Sequence, residues 1–391
     1  MRDLTALGSR SLLLAGALVL AAAAANAQEV GAWRLQGFGG WAFGKTDNDN
    51  TYAYLANGDG NYNNYNFALN LAAQPTKAIA LRSQVFFGED LRGRRTDVDY
   101  VFAEWSHSPR FRVRAGKVLM PFGLYTEIHD VGTLRPFYLL PQFYSGSSGL
   151  MPKSYLGGGV TGVVPLGETW ELGYDAFAGE VHFQEFPSNA VVGMDPATGV
   201  PIVRDVTMEL IGRDMIGGRV LVGAPSKGLQ VGAGLLRAGI EQRVDEGPRE
   251  PFPAAADAEL AQVQVQYQRK GFMLRSEYFH GFVDTATLRA FYAEASYKIT
   301  KQWQVAALYE STVIDPKLGS PYDGLPDNMR HHEAFGLGVS YWLSPELVVK
   351  LDGYSADGNF ATRGATTFVD SLLGRAETKT GVVVAGVQFA F

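Results

Sequence analysis

Four arginines recur at positions that would place them on one face of a β-sheet. They are Arg34, Arg82, Arg112 and Arg114. Alternate residues of a strand share a face, and Arg112 and Arg114 have this spacing. A basic surface opposite acidic groups produces a transverse field that orders water and favours small polar solutes. The alternative is that these arginines solvate a wet surface or pair with nearby Asp and Glu.

The acidic groups that could face these arginines lie in the segment 119–156. Its polar side chains include Glu127, His129, Asp130 and Arg135. The apolar run at 137–140 would be costly to keep in water, so we expect the segment to fold inward and leave its acids facing a channel. The alternative is an external loop at a subunit contact, because large apolar patches often mark interfaces.

Further charged side chains lie at alternate positions of later stretches, where they would point to the same inner face of the sheet. The acids are Glu171, Asp175, Glu277, Glu294, Glu310 and Asp352. The bases are Arg213, Arg219, Arg275, Lys298 and Lys350. The predicted inner surface therefore mixes both signs of charge.

No constellation of residues favours covalent chemistry. The chain has no cysteine, which excludes disulfides, thiolate metal sites and cysteine nucleophiles. Ser276 and His280 share a strand face without a supporting third group. His331 and His332 are adjacent, so on a strand they would point to opposite faces rather than to one metal. We therefore expect no enzyme activity, no metal and no cofactor.

Two alternatives to a channel for small polar solutes stay open. One is a phospholipase-like hydrolase embedded in the outer membrane, and the other is a non-conducting adhesin or structural barrel. The mild acidity, with a sequence pI of about 5.6 and both signs of charge mixed, gives no support for nucleic-acid binding.

Period-two alternation predicts strands along the whole chain. The stretches lie near 33–43, 64–71, 78–87, 98–106, 111–118, 157–164, 169–179, 213–223, 229–239, 259–268, 272–280, 288–299, 303–313, 333–343, 347–355 and 380–391. Most are near the length that a tilted membrane strand needs, and tight turns alternate with long polar loops between them. The longer loops, expected to be external, include 44–61, 119–156, 180–211, 240–257, 314–331 and 356–378. The pattern predicts an all-β, transmembrane antiparallel barrel of about sixteen strands, with segment 119–156 as its inward-folded third loop.

The two ends of the chain indicate export and membrane insertion. Arg2 and Arg10 precede an apolar run and the sequence Ala25-Asn26-Ala27, so residues 1–27 are predicted to be a cleaved signal peptide and 28–391 a single barrel domain. The last stretch alternates apolar residues and ends with Phe389 and Phe391. This ending is similar to the C-terminal strand by which outer-membrane barrels are recognised for insertion.

One part of the sequence resembles a block in phosphate-selective porin (porin O and P)-like proteins of Gram-negative bacteria. It consists of the stretch from Val113 to Tyr125 (VRAGKVLMPFGLY), together with Arg135-Pro136 and the aromatic run that follows them. The direct resemblance covers residues 111–145. It implies a sixteen-stranded trimeric porin with an inward-folded third loop. Phosphate-specific members line the pore with an arginine ladder and lysines, whereas this chain mixes bases with many acids, so the architecture carries over rather than the phosphate specificity.

These observations predict a multi-pass outer-membrane barrel that gives small hydrophilic solutes or ions passive diffusion through a water-filled lumen. The expected pore-lining residues are the four arginines together with Glu127, His129, Asp130 and Arg135. The expected partners are these solutes, outer-membrane lipid and lipopolysaccharide, and two further copies of the chain in a homotrimer.

Overall fold

The computed structural model describes residues 33–144, 150–183, 186–197, 199, 201–245, 250–251, 257–283, 286–317, 323–362, 370–371 and 373–391. The predicted signal peptide, residues 1–27, lies outside the described residues. Within the described ranges, no helix has the length and apolar character needed to cross a membrane.

The described chain consists mainly of β-strands, numbered β1 to β18 in chain order. They are Trp33–Thr46, Tyr65–Ala73, Ile79–Asp90, Gly93–Ser108, Phe111–Leu119, Ser154–Leu166, Trp170–His182, Phe186–Met194, Pro201–Ala224, Leu229–Val244, Glu250–Pro251, Asp257–Arg269, Phe272–Val283, Ala286–Lys298, Trp303–Pro316, His331–Ser344, Leu347–Asp357 and Lys379–Ala390. Short 3-10 turns lie at Thr126–Ile128, Gly132–Leu134, Gln142–Tyr144, Pro225–Lys227 and Asp327–Met329.

The strands form one closed antiparallel barrel. β1 pairs with β2 on one side and with β18 on the other, with Trp41 opposite Tyr65 and Val387. Two of the 18 strands, β8 and β11, pair only with parts of β9 and β10, whereas β7 pairs directly with β9 and β10 with β12. Sixteen strands therefore make the wall. The predicted fold is confirmed, and each predicted stretch corresponds to one of these sixteen strands.

The alternation of side chains explains why these segments form a barrel wall. On β18, Val383 is exposed on the outer face while Val384 is buried inside. Large apolar side chains remain exposed on the outside of many strands, among them Trp105, Tyr297 and Trp303 near strand ends. An outward apolar surface with aromatic residues near the strand ends suits a lipid environment and would be costly in water.

The third loop, here residues 120–144 and 150–153, folds into the barrel. Its aromatic side chains make much of the internal core. Those of Phe122, Tyr125, Phe137, Phe143 and Tyr144 are all at most 3% exposed. The inward fold expected from the sequence is thus confirmed, because these aromatic groups gain burial only inside the barrel.

Candidate functional site

The third loop is attached to the inner wall at Glu277 on β13. The carboxylate accepts hydrogen bonds from the backbone N–H of Leu124 at 2.9 Å and from the Gln262 side chain at 2.8 Å. Its other oxygen accepts from the hydroxyl of Tyr292 at 2.6 Å and from that of Tyr144. A carboxylate has roughly four lone-pair sites. All four sites of Glu277 therefore accept hydrogen bonds, two from the loop and two from the wall.

A second attachment is made by Lys350 on β17. Its Nζ donates to the carbonyl oxygens of Gly132 at 2.8 Å, Arg135 at 2.7 Å and Phe137 at 3.1 Å. An ammonium group has three N–H donors, and the loop backbone accepts all three. Arg135, predicted to face the channel, is instead buried at 8% exposure in this contact.

Further wall side chains complete the attachment of the loop. The N–H of Tyr138 donates to Asp352 on β17 at 2.7 Å, and Arg275 on β13 donates to the carbonyl of Leu134 at 3.2 Å. The hydroxyl of Tyr125 donates to Glu294 on β14. Phe143 stacks on Phe279 of β13 with ring centroids 3.7 Å apart. The wall from β13 to β17 is therefore covered by the loop.

On the opposite side, the base of the loop is tied to β3 and β4 by a cluster around Asp130. Lys153 Nζ lies 2.7 Å from Asp130 and 3.5 Å from Asp99. Gln84 donates to Asp130 at 2.9 Å, and His129 Nδ1 lies 3.0 Å from its other oxygen. Two of the predicted residues, His129 and Asp130, are brought together here.

Charge pairing and burial set the protonation of this cluster. Burial works to raise the pKa of Asp130, but the charge of Lys153 and the hydrogen bonds with His129 and Lys153 hold that pKa well below its ordinary value. Burial works to lower the pKa of Lys153, yet Asp130 and Asp99 raise it above its ordinary value. Burial, together with the charge of Lys153, lowers the pKa of His129. At neutral pH the cluster thus holds a carboxylate, an ammonium and a neutral imidazole.

Arg34 and Arg82 lie on the inner face of the barrel, on β1 and β3. The register places Arg34 opposite Ala72 and Ala72 opposite Arg82, so the two arginines belong to one row across β1, β2 and β3. Both residues are exposed. Their guanidinium groups therefore remain in contact with water inside the barrel.

Arg112 and Arg114 on β5 share one carboxylate. Arg114 Nε lies 2.7 Å from Glu104 on β4, and Arg112 Nη1 lies 3.8 Å from the other oxygen of the same group. The alternative considered from the sequence, that the arginines pair with nearby Asp or Glu, applies to these two residues. Their side chains keep 28% and 19% exposure, so the pair presents a net positive surface to the interior water.

Glu127 is the acid of the loop that is most exposed to this water. Its side chain is 46% exposed and lies 3.5 Å from Arg219 on β9, which is also paired with Asp175 at 2.9 Å. The arginine is itself buried. Glu127 therefore carries a partly hydrated negative charge beside the buried pair of Arg219 and Asp175.

Sequence reasoning missed the contribution of the first loop, residues 47–64. We expected 44–61 to be an external polar loop, but Tyr52, Tyr54 and Leu55 are buried inside the barrel mouth. Tyr52 donates to Glu310 on β15 at 3.3 Å. The run of aromatic and apolar residues at 52–55, inside an otherwise polar loop, is the signal that would have indicated this.

The C-terminal residues complete the closure of the barrel. Phe391 exchanges backbone hydrogen bonds with Gly37 at 3.0 and 2.8 Å. The rings of Phe389 and Phe391 lie 6.3 and 6.4 Å from that of Phe67 on the outer face. Their role as an insertion signal stays a prediction.

The residues considered for hydrolysis have other partners. Ser276 Oγ donates to the carbonyl of Tyr292 at 2.8 Å. The His280 ring lies between those of Tyr278 and Phe282, at 6.5 and 5.0 Å. This geometry gives the hydrolase alternative no support.

Comparison with known proteins gives a structural likeness without a sequence family. No family model matches the chain, and no curated protein matches its sequence. Among solved structures, OmpF of Salmonella typhi in complex with daunomycin matches at 13% identity over 92% of this chain and 97% of that one, with a TM-score of 0.55. An anion-selective porin from Comamonas acidovorans matches at 12% identity, over 92% and 99%, with a TM-score of 0.54.

A third similar structure is the trimer form of OmpT, an outer-membrane protein of Vibrio cholerae. It is 11% identical over 93% of this chain and 100% of that one, with a TM-score of 0.52. At such identities the likeness is one of fold. The chain is a closed sixteen-strand barrel resembling outer-membrane proteins, as the localisation expected from the sequence requires.

Proposed function

We propose that this chain is an outer-membrane porin that gives small hydrophilic solutes or ions passive diffusion, with the third loop as its constriction. The observation that carries the proposal is the unequal cover of the inner wall by that loop. Glu277, Lys350 and Asp352 bind it to one side of the wall, while Arg34 and Arg82 stay hydrated on the other side. The solute path in this proposal runs between the loop and the arginine-bearing strands.

The charges beside this path give each residue a role. Arg82, Arg112 and Arg114 form the basic side and Glu127 the acidic side, with the attached cluster of His129 and Asp130 at the loop base. Opposite charges across a narrow path orient water and polar solutes. Because Glu104 neutralises part of the charge of Arg112 and Arg114, we infer a weak preference for anions.

The finer family assignment is part of the same proposal. The block at 111–145 supports placement among the phosphate-selective porin-like proteins, and the anion-selective porin from Comamonas acidovorans is a structural neighbour. The mixed charges inside the barrel argue against specificity for phosphate. We propose general diffusion with an anion bias.

Assembly and export complete the proposal. We infer cleavage after Ala27, a homotrimer, and contact of the outer face with lipid and lipopolysaccharide. The trimer form of the Vibrio cholerae neighbour supports this assembly. Sequencing the N-terminus of the exported protein and determining the mass of the detergent-extracted complex test these two points separately.

Conductance across a planar bilayer tests the channel itself. The refolded protein is expected to give steps of current and a reversal potential that favours anions. Replacing Arg82, Arg112 and Arg114 by Ala is expected to lower the anion-to-cation permeability ratio. Since a unit charge about 4 Å away in water is worth about 1 kcal/mol, the change is up to roughly fivefold per unpaired charge.

The matched control is Arg94→Ala, because Arg94 pairs with Glu89 at 2.9 Å on the outer face and its side chain is 82% exposed. A protein that inserts but carries no current would overturn the proposal. Unchanged selectivity in the triple variant would remove these arginines from the path. A liposome swelling assay run beside a lipase assay distinguishes diffusion from lipid hydrolysis.

A further inference from the structure

Glu310 on β15 is a buried carboxylate that binds three separate elements. One oxygen accepts from the hydroxyl of Tyr52 in the first loop at 3.3 Å and lies 3.1 Å from Nε2 of His332 on β16. The other oxygen accepts from the backbone N–H of Gln142 in the third loop at 2.7 Å. A single side chain thus binds both the first loop and the third loop.

His332 explains part of the His331-His332 motif noted in the sequence. The two rings point to opposite faces, as expected, with His331 Nδ1 at 2.8 Å from the carbonyl of Asp327 and His332 fully buried. The Nδ1 atom of His332 has no hydrogen-bond partner among the described residues. The polar contact of this buried ring is therefore Glu310, and its effect is to fix that carboxylate in place.

A second shared contact lies next to Glu310. The ring of Tyr354 on β17 lies 6.1 Å from the ring of Tyr52 and 5.9 Å from that of Phe137 in the third loop. Its hydroxyl also donates to Asp352, at 3.3 Å, the group that binds the N–H of Tyr138. The first and third loops thus touch the same two wall side chains by both polar and aromatic contacts.

We propose that the first loop is a positioning element of the constriction, coupled through Glu310 and Tyr354 to residues 137–144 of the third loop. A buried carboxylate is costly unless its hydrogen bonds are made, so losing the Tyr52 donor destabilises the buried position of Glu310. Displacement of Tyr52 from the wall therefore loosens the attachment at Gln142. A solute or force that moves the first loop at the mouth changes the opening below it, an effect on transport that rests on the proposed function.

Hydrogen exchange on the full refolded chain tests this coupling without needing current. Tyr52→Phe removes one oxygen and keeps the ring, so the barrel is expected to fold. The Gln142 amide is expected to exchange about tenfold faster, because part of its hydrogen bond to the charged Glu310 is lost. The Leu124 amide, which binds Glu277 instead, is the internal reference and is expected to be unchanged.

The matched control is Tyr62→Phe, because Tyr62 belongs to the same loop and is 65% exposed. It is expected to leave the Gln142 amide unchanged. The coupling is overturned if Tyr52→Phe speeds exchange in the first loop while the Gln142 amide keeps its wild-type rate. In a Glu310→Gln background, Tyr52→Phe is expected to add less than it does alone. Full additivity of the two substitutions would also overturn the coupling.

The channel consequence is measured separately, as fluctuation of the single-channel current in Tyr52→Phe and Tyr62→Phe. More frequent transitions in Tyr52→Phe alone support the regulatory part of the inference, and equal fluctuation in both variants overturns that part. Absence of current in the wild type would contradict the proposed function while leaving the exchange result as a test of the coupling itself.

Discussion

The two sides of the inner wall both carry predicted charges but use them differently. Glu277, Glu294 and Asp352 on β13 to β17 are each 1% exposed, because the third loop lies on them. Arg34 and Arg82 on β1 and β3 are exposed to the interior water. Inward orientation on a strand is thus not sufficient to make a residue part of a channel lining.

The difference follows from the cost of burying charge. A carboxylate leaves water only where donors replace its hydration, and the loop supplies such donors through backbone N–H and tyrosine hydroxyl groups. Arginines that receive no such cover stay hydrated and keep their field available to solutes. The covered side positions the loop, and in the proposed channel the open side sets which solutes pass.

The largest effect is expected from removing an anchor on the covered side. Glu277→Leu leaves four buried donors without an acceptor, so the free energy of unfolding is expected to fall by at least about 3 kcal/mol. Urea unfolding followed by tryptophan fluorescence measures it. The control is Glu171→Leu on the inner face of β7, expected to cost within about 0.5 kcal/mol. Equal losses would abolish the contrast between anchor and lining.

Lys350→Met is expected to have the next largest effect, about 2 kcal/mol, because three bonds to loop carbonyls are lost while a costly buried charge is removed. Release of residues 132–137 is expected to raise single-channel conductance. The matched variant is Lys298→Met, since Lys298 is an exposed lysine on the inner face of β14. If Lys298→Met raised the conductance as much as Lys350→Met, the loop would not be what narrows the path.

On the open side, Glu127→Gln is expected to change selectivity and leave stability unaltered. Loss of its partly hydrated charge is expected to raise the anion preference by up to roughly fivefold, from the Coulomb energy of a unit charge in water at about 4 Å. Reversal potentials in a salt gradient measure this change. Glu168→Gln, at an exposed turn, is the control, and a shift toward cations in Glu127→Gln would contradict the assigned role.

The smallest effect concerns pH at the base of the loop. The pKa of His129 is lowered from 6.5, so the folded state keeps this ring neutral, and that contribution to stability is lost as pH falls below 6.5. The pKa of Asp130 is lowered from 3.8, so its contribution is present above that value and is lost only in stronger acid. Between pH 7 and 5 the amides of 128–131 are expected to exchange up to about tenfold faster, after correction for intrinsic rates. His129→Gln is expected to remove this dependence, and a dependence that persists in this variant would exclude His129 as its source.

The barrel wall was predictable because its signals are local. The stretch predicted at 303–313 is observed as Trp303–Pro316, and the tight turns between strands mark the register. The hairpin of β8 with the first part of β9 was missed, since 180–211 was expected to be a loop. An outer extension of this kind lies beyond the wall and lacks the strict alternation of lipid-facing and water-facing residues.

The candidate site was predictable only in part. The inward phase of Glu277, Glu310 and Asp352 followed from period two, and so did that of Arg82. The sequence did not show which of these side chains bind the loop and which face water. The contact between Leu124 and Glu277, for example, spans 153 positions of the chain. No periodicity encodes such a contact, which depends on how the loop fills the barrel.

A disulfide between the third loop and the wall tests the central claim most directly, because the chain has no cysteine of its own. A Cβ added at Gly132 would lie 2.2 Å from Cδ of Gln388 on β18, so the loop touches the side chain of the wall here and a pair of cysteines at the two positions is expected to come within reach of each other. The double variant Gly132→Cys with Gln388→Cys is expected to form this bond on oxidation and to keep its single-channel conductance, since the path lies on the other side of the loop. Failure to form the bond, or loss of current once it forms, would contradict the account.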